Sequence, residues 1–230
     1  MALTSEIIFH ELEVATKLMA FVFCIIFAAL FWNRRRKADM KETRIIFLGQ
    51  GLFVLCFGIT RLLFLIADYF SPFQSPELIF YVDANLYFTL WKISTLIGIL
   101  AIVFLLIVIE SYLVKKTHYI LSIVALAGLV IALVSADVEF ARLVTYITLP
   151  IAMGGVIGLY TYLFFKSSGE IRKKAGLSLD GFIIFGIGVI LDTTIGQNLL
   201  ASWFGFVPGF IPIIVMIVGL AIYTYYNIKE

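Results

Sequence analysis

Three ionisable side chains lie where hydrocarbon would surround them: Arg61 in FGITRLLFLIADYF, Lys92 in FTLWKISTLIG and Asp192 in GVILDTTIGQNLL. A charge inside a bilayer is costly, so each needs a partner or a purpose. Two cations and one anion would leave a positive charge in excess, which suits the capture of a small anion. Polar neighbours extend the group. Helical spacing puts Gln50, Gly58, Arg61 and Asp68 on one face of one element, and Asn85, Lys92 and Thr95 on one face of another. Gly188, Asp192 and Gly196 recur every four residues on a third, followed by Gln197 and Asn198. The candidate ligand-binding set is therefore Arg61, Lys92, Asp192, Gln197, Asp68 and Thr95. Two other readings compete with it. Asp192 could neutralise Arg61 or Lys92 only to fix helix packing, or the group could belong to a transport path. Both long cations are also able to snorkel to the headgroups unaided.

The elements that would position these residues follow from composition. Hydrophobic residues make up 62% of the 230 and charged residues 14%, with a mean hydropathy of +1.07. A soluble domain of this length needs more polar surface, whereas a bilayer removes that demand. A crossing takes about 20 mainly apolar residues, and the chain reads as seven of them: 13–32, 45–67, 86–110, 119–136, 143–165, 179–202 and 206–226. The breaks NRRRKADMKETR, SPFQSPEL, KKTH, SADVE, KSSGEIRKK and WFGFVPG separate them.

Charge fixes a direction for this array. One set of alternate segments carries Arg34, Arg35, Arg36, Lys37, Lys41, Arg44, Lys115, Lys116, Lys166, Arg172, Lys173, Lys174 and Lys229. The other carries Arg142 against Asp68, Glu77, Asp83, Asp137 and Glu139. Lys/Arg-rich short loops stay in the cytoplasm, so the N-terminus is expected outside and the C-terminus inside. The expected fold is an all-α integral membrane protein, a single seven-transmembrane-helix bundle over 1–230, multi-pass in the cell membrane. On a rise of about 1.5 Å per residue, Arg61, Asp192 and Lys92 then lie roughly 24, 20 and 21 Å from the cytoplasmic boundary, in one outer layer. The inner half reads as almost wholly apolar apart from Gln50.

Weaker features complete the reading. Pro150 with Gly154, Gly155 and Gly158 predicts a kink and a close helix contact inside the bundle. Glu6, His10 and Glu13 share a face that reads as solvated rather than as a metal fragment. Trp91, Trp203, Tyr81, Tyr87, Tyr223, Tyr225 and Tyr226 read as interfacial anchors. Cys24 and Cys56 lie in apolar runs and read as small fillers without a disulfide. Acids precede the first apolar run, so signal cleavage is not expected.

No Ser/His/Asp set, HExxH, CxxC or phosphate loop occurs at usable spacing, so no enzyme is expected. His10 and His118 fall on opposite sides, which excludes a haem held by both. The seventh span lacks a lysine, so no retinal is expected, and no cofactor is implied. The expected partners are the lipid bilayer, a small anionic ligand from outside and a cytoplasmic or membrane protein meeting the basic loops, with no nucleic acid.

Seven spans, an outside N-terminus, short loops, the Arg61/Asp68 pattern and the Trp91–Lys92 pair together resemble the seven-helix sensor regions of prokaryotic signalling proteins. The chain also looks like uncharacterised archaeal seven-span proteins of similar length. Sensor regions are usually followed by an output domain, and none follows Glu230, so the resemblance implies signalling through a separate partner. The expected function is thus receptor-like or sensory. A small transporter or channel is the first alternative, and an accessory subunit of a membrane complex is the second.

Overall fold

Apolar runs this long form helix because the backbone has no other way to satisfy its polar groups in lipid. The computed structural model describes residues 2–71, 82–114, 117–205 and 208–229, without the side chains of residues 2–7 and Thr194. Most of the SPFQSPEL break, with Glu77 and Tyr81, lies outside the described residues, as do Lys115, Lys116 and the side chain of Glu6. The described chain is helical throughout, without strands: α1 (Ala2–Lys37), α2 (Lys41–Asp68), α3 (Ala84–Val108), α4 (Ile120–Val134), α5 (Val138–Lys166), α6 (Gly169–Leu191), α7 (Thr194–Phe204) and α8 (Phe210–Ile228). A π-helical turn, Ile109–Leu113, extends α3.

Among the described residues six helices are long and apolar enough to cross a membrane: α1, α2, α3, α5, α6 and α8. The protein is a multi-pass membrane protein whose solvent is a lipid bilayer. Local chemistry sets several helix ends. Asp83 and Asp137 accept from the backbone N–H of Leu86 and Glu139, both at 3.0 Å, and cap α3 and α5. Arg34, Arg35, Arg36 and Lys37 fill the last turn of α1, where cations oppose the helix dipole.

Two expected spans differ from the helices observed. The 119–136 span is a helix of 15 residues, about 22 Å long, bounded by side chains of α3 at both ends. Glu110 accepts from the backbone N–H of Leu121 at 3.2 Å and of Ser122 at 2.9 Å, and from the Ser122 hydroxyl. Lys92 Nζ donates to the Leu133 and Ser135 carbonyls at 3.2 and 2.5 Å. The 179–202 span is interrupted. Helix α6 begins earlier, at Gly169, and ends at Leu191, because Thr193 turns the chain. Its hydroxyl donates to the Ile190 carbonyl at 2.6 Å and accepts from the Gly196 N–H at 3.3 Å, starting α7.

Helices α1 and α2, and likewise α6 and α8, pack antiparallel, while α1 and α8 run parallel, with Phe9 beside Phe210 at their starts and Phe31 beside Tyr223 at their ends. The closest seam joins α6 to α8: a Cβ on Gly219 would lie 2.4 Å from the Phe185 nitrogen and 2.7 Å from the Gly181 carbonyl oxygen. Only glycine permits that approach. The expected contact through Gly154 and Gly158 is different, since both face open space on α5, and only Gly155 meets a neighbour, Leu121 of α4. The glycines that bring backbones together are on α6 and α8 instead.

Candidate functional site

Arg61 is 7% exposed on α2, and its Nη1 donates to Asp192 Oδ2 at 2.5 Å. Its guanidinium carbon sits 4.9 Å from the Phe57 ring and 5.4 Å from the Phe64 ring. Those faces attract the cation and shield it from water. Asp192 is the C-cap of α6, so its carboxylate adds to the negative end of that helix, and Arg61 offsets both. Arg61 Nε remains buried without a hydrogen-bond partner. A buried donor left unpaired is costly, and invites an acceptor.

A second ionic group stands beside the first. Lys17 of α1 pairs with Glu13 Oε1 at 2.6 Å, one turn earlier, and with the Asp68 carboxylate at the end of α2. Lys17 is itself buried. Lys92 does not join this layer, because the carbonyls ending α4 hold its ammonium. The layer therefore sets Lys17 and Arg61 against Glu13, Asp68 and Asp192 among the described residues. The expected excess of positive charge is not found there.

The remaining expected site residues divide. Thr95 lines a cavity with Arg61, although its hydroxyl donates to the Trp91 carbonyl of its own helix at 2.8 Å. Gln197 lies half-buried on α7, where its backbone N–H donates to the Thr193 carbonyl at 2.8 Å. Asp68 belongs to the Lys17 group rather than to Arg61. The structure thus brings Arg61, Asp192 and Thr95 to one place and sets Lys92 elsewhere.

The cavity lies between α2, α3, α5 and α6 and measures about 90 Å³. Thr60, Arg61 and Thr95 supply its polar groups, while Phe57, Phe64, Leu149, Met153 and Val189 are among its apolar walls. A volume of that order holds a few waters or a molecule of several heavy atoms. Its floor is aromatic. Phe57 meets Phe185 edge-on at 4.9 Å, Phe53 stacks on Phe182 at 5.5 Å, and Phe182 meets Tyr223 at 5.0 Å. Tyr223 is fully buried there, not at an interface as its position among Tyr225 and Tyr226 implied.

Beyond that floor is a polar group that the sequence reading missed. Gln50 Nε2 donates to Asn227 Oδ1 at 2.9 Å, and Asn227 Nδ2 donates to Ser178 Oγ and to the Tyr223 carbonyl at 2.9 and 2.8 Å. The Tyr160 and Tyr223 hydroxyls meet at 3.3 Å. The half of the bundle expected to be apolar apart from Gln50 therefore joins α2, α5, α6 and α8 through neutral hydrogen bonds. Asn227 had a signal, since it follows Tyr223 by one helical turn.

Among the described residues no group of three His, Cys, Asp or Glu could hold a metal ion. His10 lies edge-on to Tyr69, with ring centroids 6.3 Å apart, and both cysteines are free. Compared with protein-family models, curated proteins and solved structures, the chain matches none.

Proposed function

We propose that this chain is a receptor-like membrane protein that crosses the bilayer seven times, with its N-terminus outside, and binds a small molecule beside Arg61. The observation that carries the reading is a cavity with an unused Arg61 Nε–H at one end and an aromatic floor at the other. A small cavity floored by packed aromatic rings suits binding and sensing better than passage. The break after Asp192 does not favour a transporter either. Helix α6 is already 23 residues long, about 34 Å, so the break falls at the end of a complete span rather than at midplane. Seven crossings with this orientation are supported by the basic residues gathered at one end of the bundle. Signalling through a separate partner at that basic end belongs to the same proposal.

The ligand chemistry follows from the walls. Arg61 is already matched by Asp192, so the free Nε–H asks for a hydrogen-bond acceptor on a mainly apolar body. A carboxylate or a carbonyl meets that need, and an ammonium does not. Butanoate, butanone and butylammonium have similar size and differ in charge, so they are the probes. Purified protein in lipid nanodiscs is expected to gain thermal stability with butanoate or butanone and none with butylammonium. Gly98→Ala should abolish the gain while keeping the fold, because the new Cβ would meet Thr60 at an ordinary 3.7 Å. No gain with either acceptor, or an equal gain in Gly98→Ala, would overturn the proposal.

A further inference from the structure

We infer that the cleft between the start of α6 and the end of α8 holds the phosphate of an anionic phospholipid, with an acyl chain in the groove that continues from it. Two hollows meet there. The first, about 100 Å³, is bordered by Glu170, Lys173, Lys174 and Leu177 of α6, by Tyr226 of α8 and by Lys229 just after it. The second is a shallow groove of about 430 Å³ that shares Leu177 and Tyr226 and runs past Asp180, Ile183, Ile184 and Ile222. A basic hollow at the helix ends thus opens straight onto an apolar track along the flank of the bundle. That sequence of surfaces, cationic and then hydrocarbon, matches a phospholipid from headgroup to chain.

Charge points to the same occupant. Three lysines face Glu170 and Asp180, a balance of one positive charge. None of the three has a carboxylate within 4.0 Å among the described residues, whereas Lys17, Arg61 and Arg142 near the other end are each paired. Ser168 makes no side-chain cap, so the first amides of α6 add to the positive potential. Ammonium groups bind phosphate as mobile point charges and do not need the fixed geometry of a guanidinium fork. A free phosphate would fill only the first hollow. A phospholipid fills both and covers the exposed flank of Ile183, which is 40% exposed. This inference concerns the end of the bundle away from Arg61 and does not depend on the binding cavity.

The test uses the full chain in nanodiscs of phosphatidylcholine containing a minor share of phosphatidylglycerol. Native mass spectrometry then counts the phosphatidylglycerol retained. The variant K173Q/K174Q/K229Q should lose retention roughly tenfold, given that each lysine near an anionic surface contributes about a fivefold preference at most. K37Q/K41Q/K166Q removes the same charge at the same end outside the cleft and should change retention little. Ile183→Trp blocks the groove without altering charge and should also lower retention, and Asp180→Asn should raise it. Equal loss in both lysine triples would overturn the site in favour of diffuse attraction. Undiminished retention in Ile183→Trp, or displacement of the lipid by inorganic phosphate, would assign the cleft to a free anion instead.

Discussion

Around Arg61 the bundle buries full charges, whereas around Asn227 it buries only neutral hydrogen-bonding groups. Burial of the partners separates the two. The carboxylates that answer Lys17 and Arg61 keep 24–30% of their side-chain surface exposed, and both cations are 9% exposed or less. In the neutral group Gln50 and Ser178 are 2% and 1% exposed, and Tyr223 is fully enclosed. Desolvating an ion costs several kcal/mol even when it is paired, while a neutral amide needs only a matching partner. The paired charges of Lys17 and Arg61 are therefore placed where the counter-ion still touches polar surroundings, and the crossing of α2, α6 and α8 is held by amides and hydroxyls. One group is built to exchange partners with something outside, and the other to stay shut.

Arg61→Met is the strongest way to break that contrast. It strands Asp192 against the negative end of α6, and a loss of about 3 kcal/mol is expected, since removing one partner leaves an uncompensated charge. Arg61→Met/Asp192→Leu should recover most of it. Thermal unfolding in nanodiscs measures both, and a single variant no less stable than the double would show that the pair carries no coupling. Asn227→Leu attacks the neutral group and should cost about 2 kcal/mol, because the buried Gln50 Nε2 and Ser178 Oγ lose their partner. If Asn227→Leu proved as damaging as Arg61→Met, the distinction between ionic and neutral burial would fall.

Helical periodicity made much of this legible and misplaced the rest for identifiable reasons. Composition and run length were enough to set the helical membrane class, and the spacing from Gln50 to Asp68 put them on one buried face of α2. The pairing of Arg61 with Asp192 was among the alternatives read from type and depth. Lys17 is hidden in the sequence because Glu13, one turn earlier on α1, answers it as an ordinary intrahelical pair, while its second carboxylate, Asp68, comes from α2. Depth alone could not separate Lys92 from Arg61. Two cations at one height differ only by which neighbour lies nearest, and for Lys92 that neighbour is a set of backbone carbonyls, which no residue type announces. The same holds for the α6–α7 break, where a threonine hydroxyl ends one helix and caps the next.

Helix α4 carries the comparison to its smallest scale, because α3 grips it with an acid at one end and a base at the other. Glu110, 2% exposed, meets the amides that begin α4, and Lys92 meets the carbonyls that end it. Both signs oppose the helix dipole. The two grips should differ in strength because Glu110 is enclosed and Lys92 is half-buried. Glu110→Gln turns an enclosed carboxylate with three donors into an amide that offers a donor of its own, and should cost about 1.5 kcal/mol. Lys92→Met removes a half-buried ammonium from carbonyls at a helix C-terminus, worth about 0.5 kcal/mol. Hydrogen exchange along α4 locates each loss: Glu110→Gln should speed exchange at its first turn and Lys92→Met should loosen only its last. A Lys92→Met variant that instead perturbs Arg61 and Asp192 would put Lys92 back into their layer, and the charge balance around Arg61 would then shift toward anion binding.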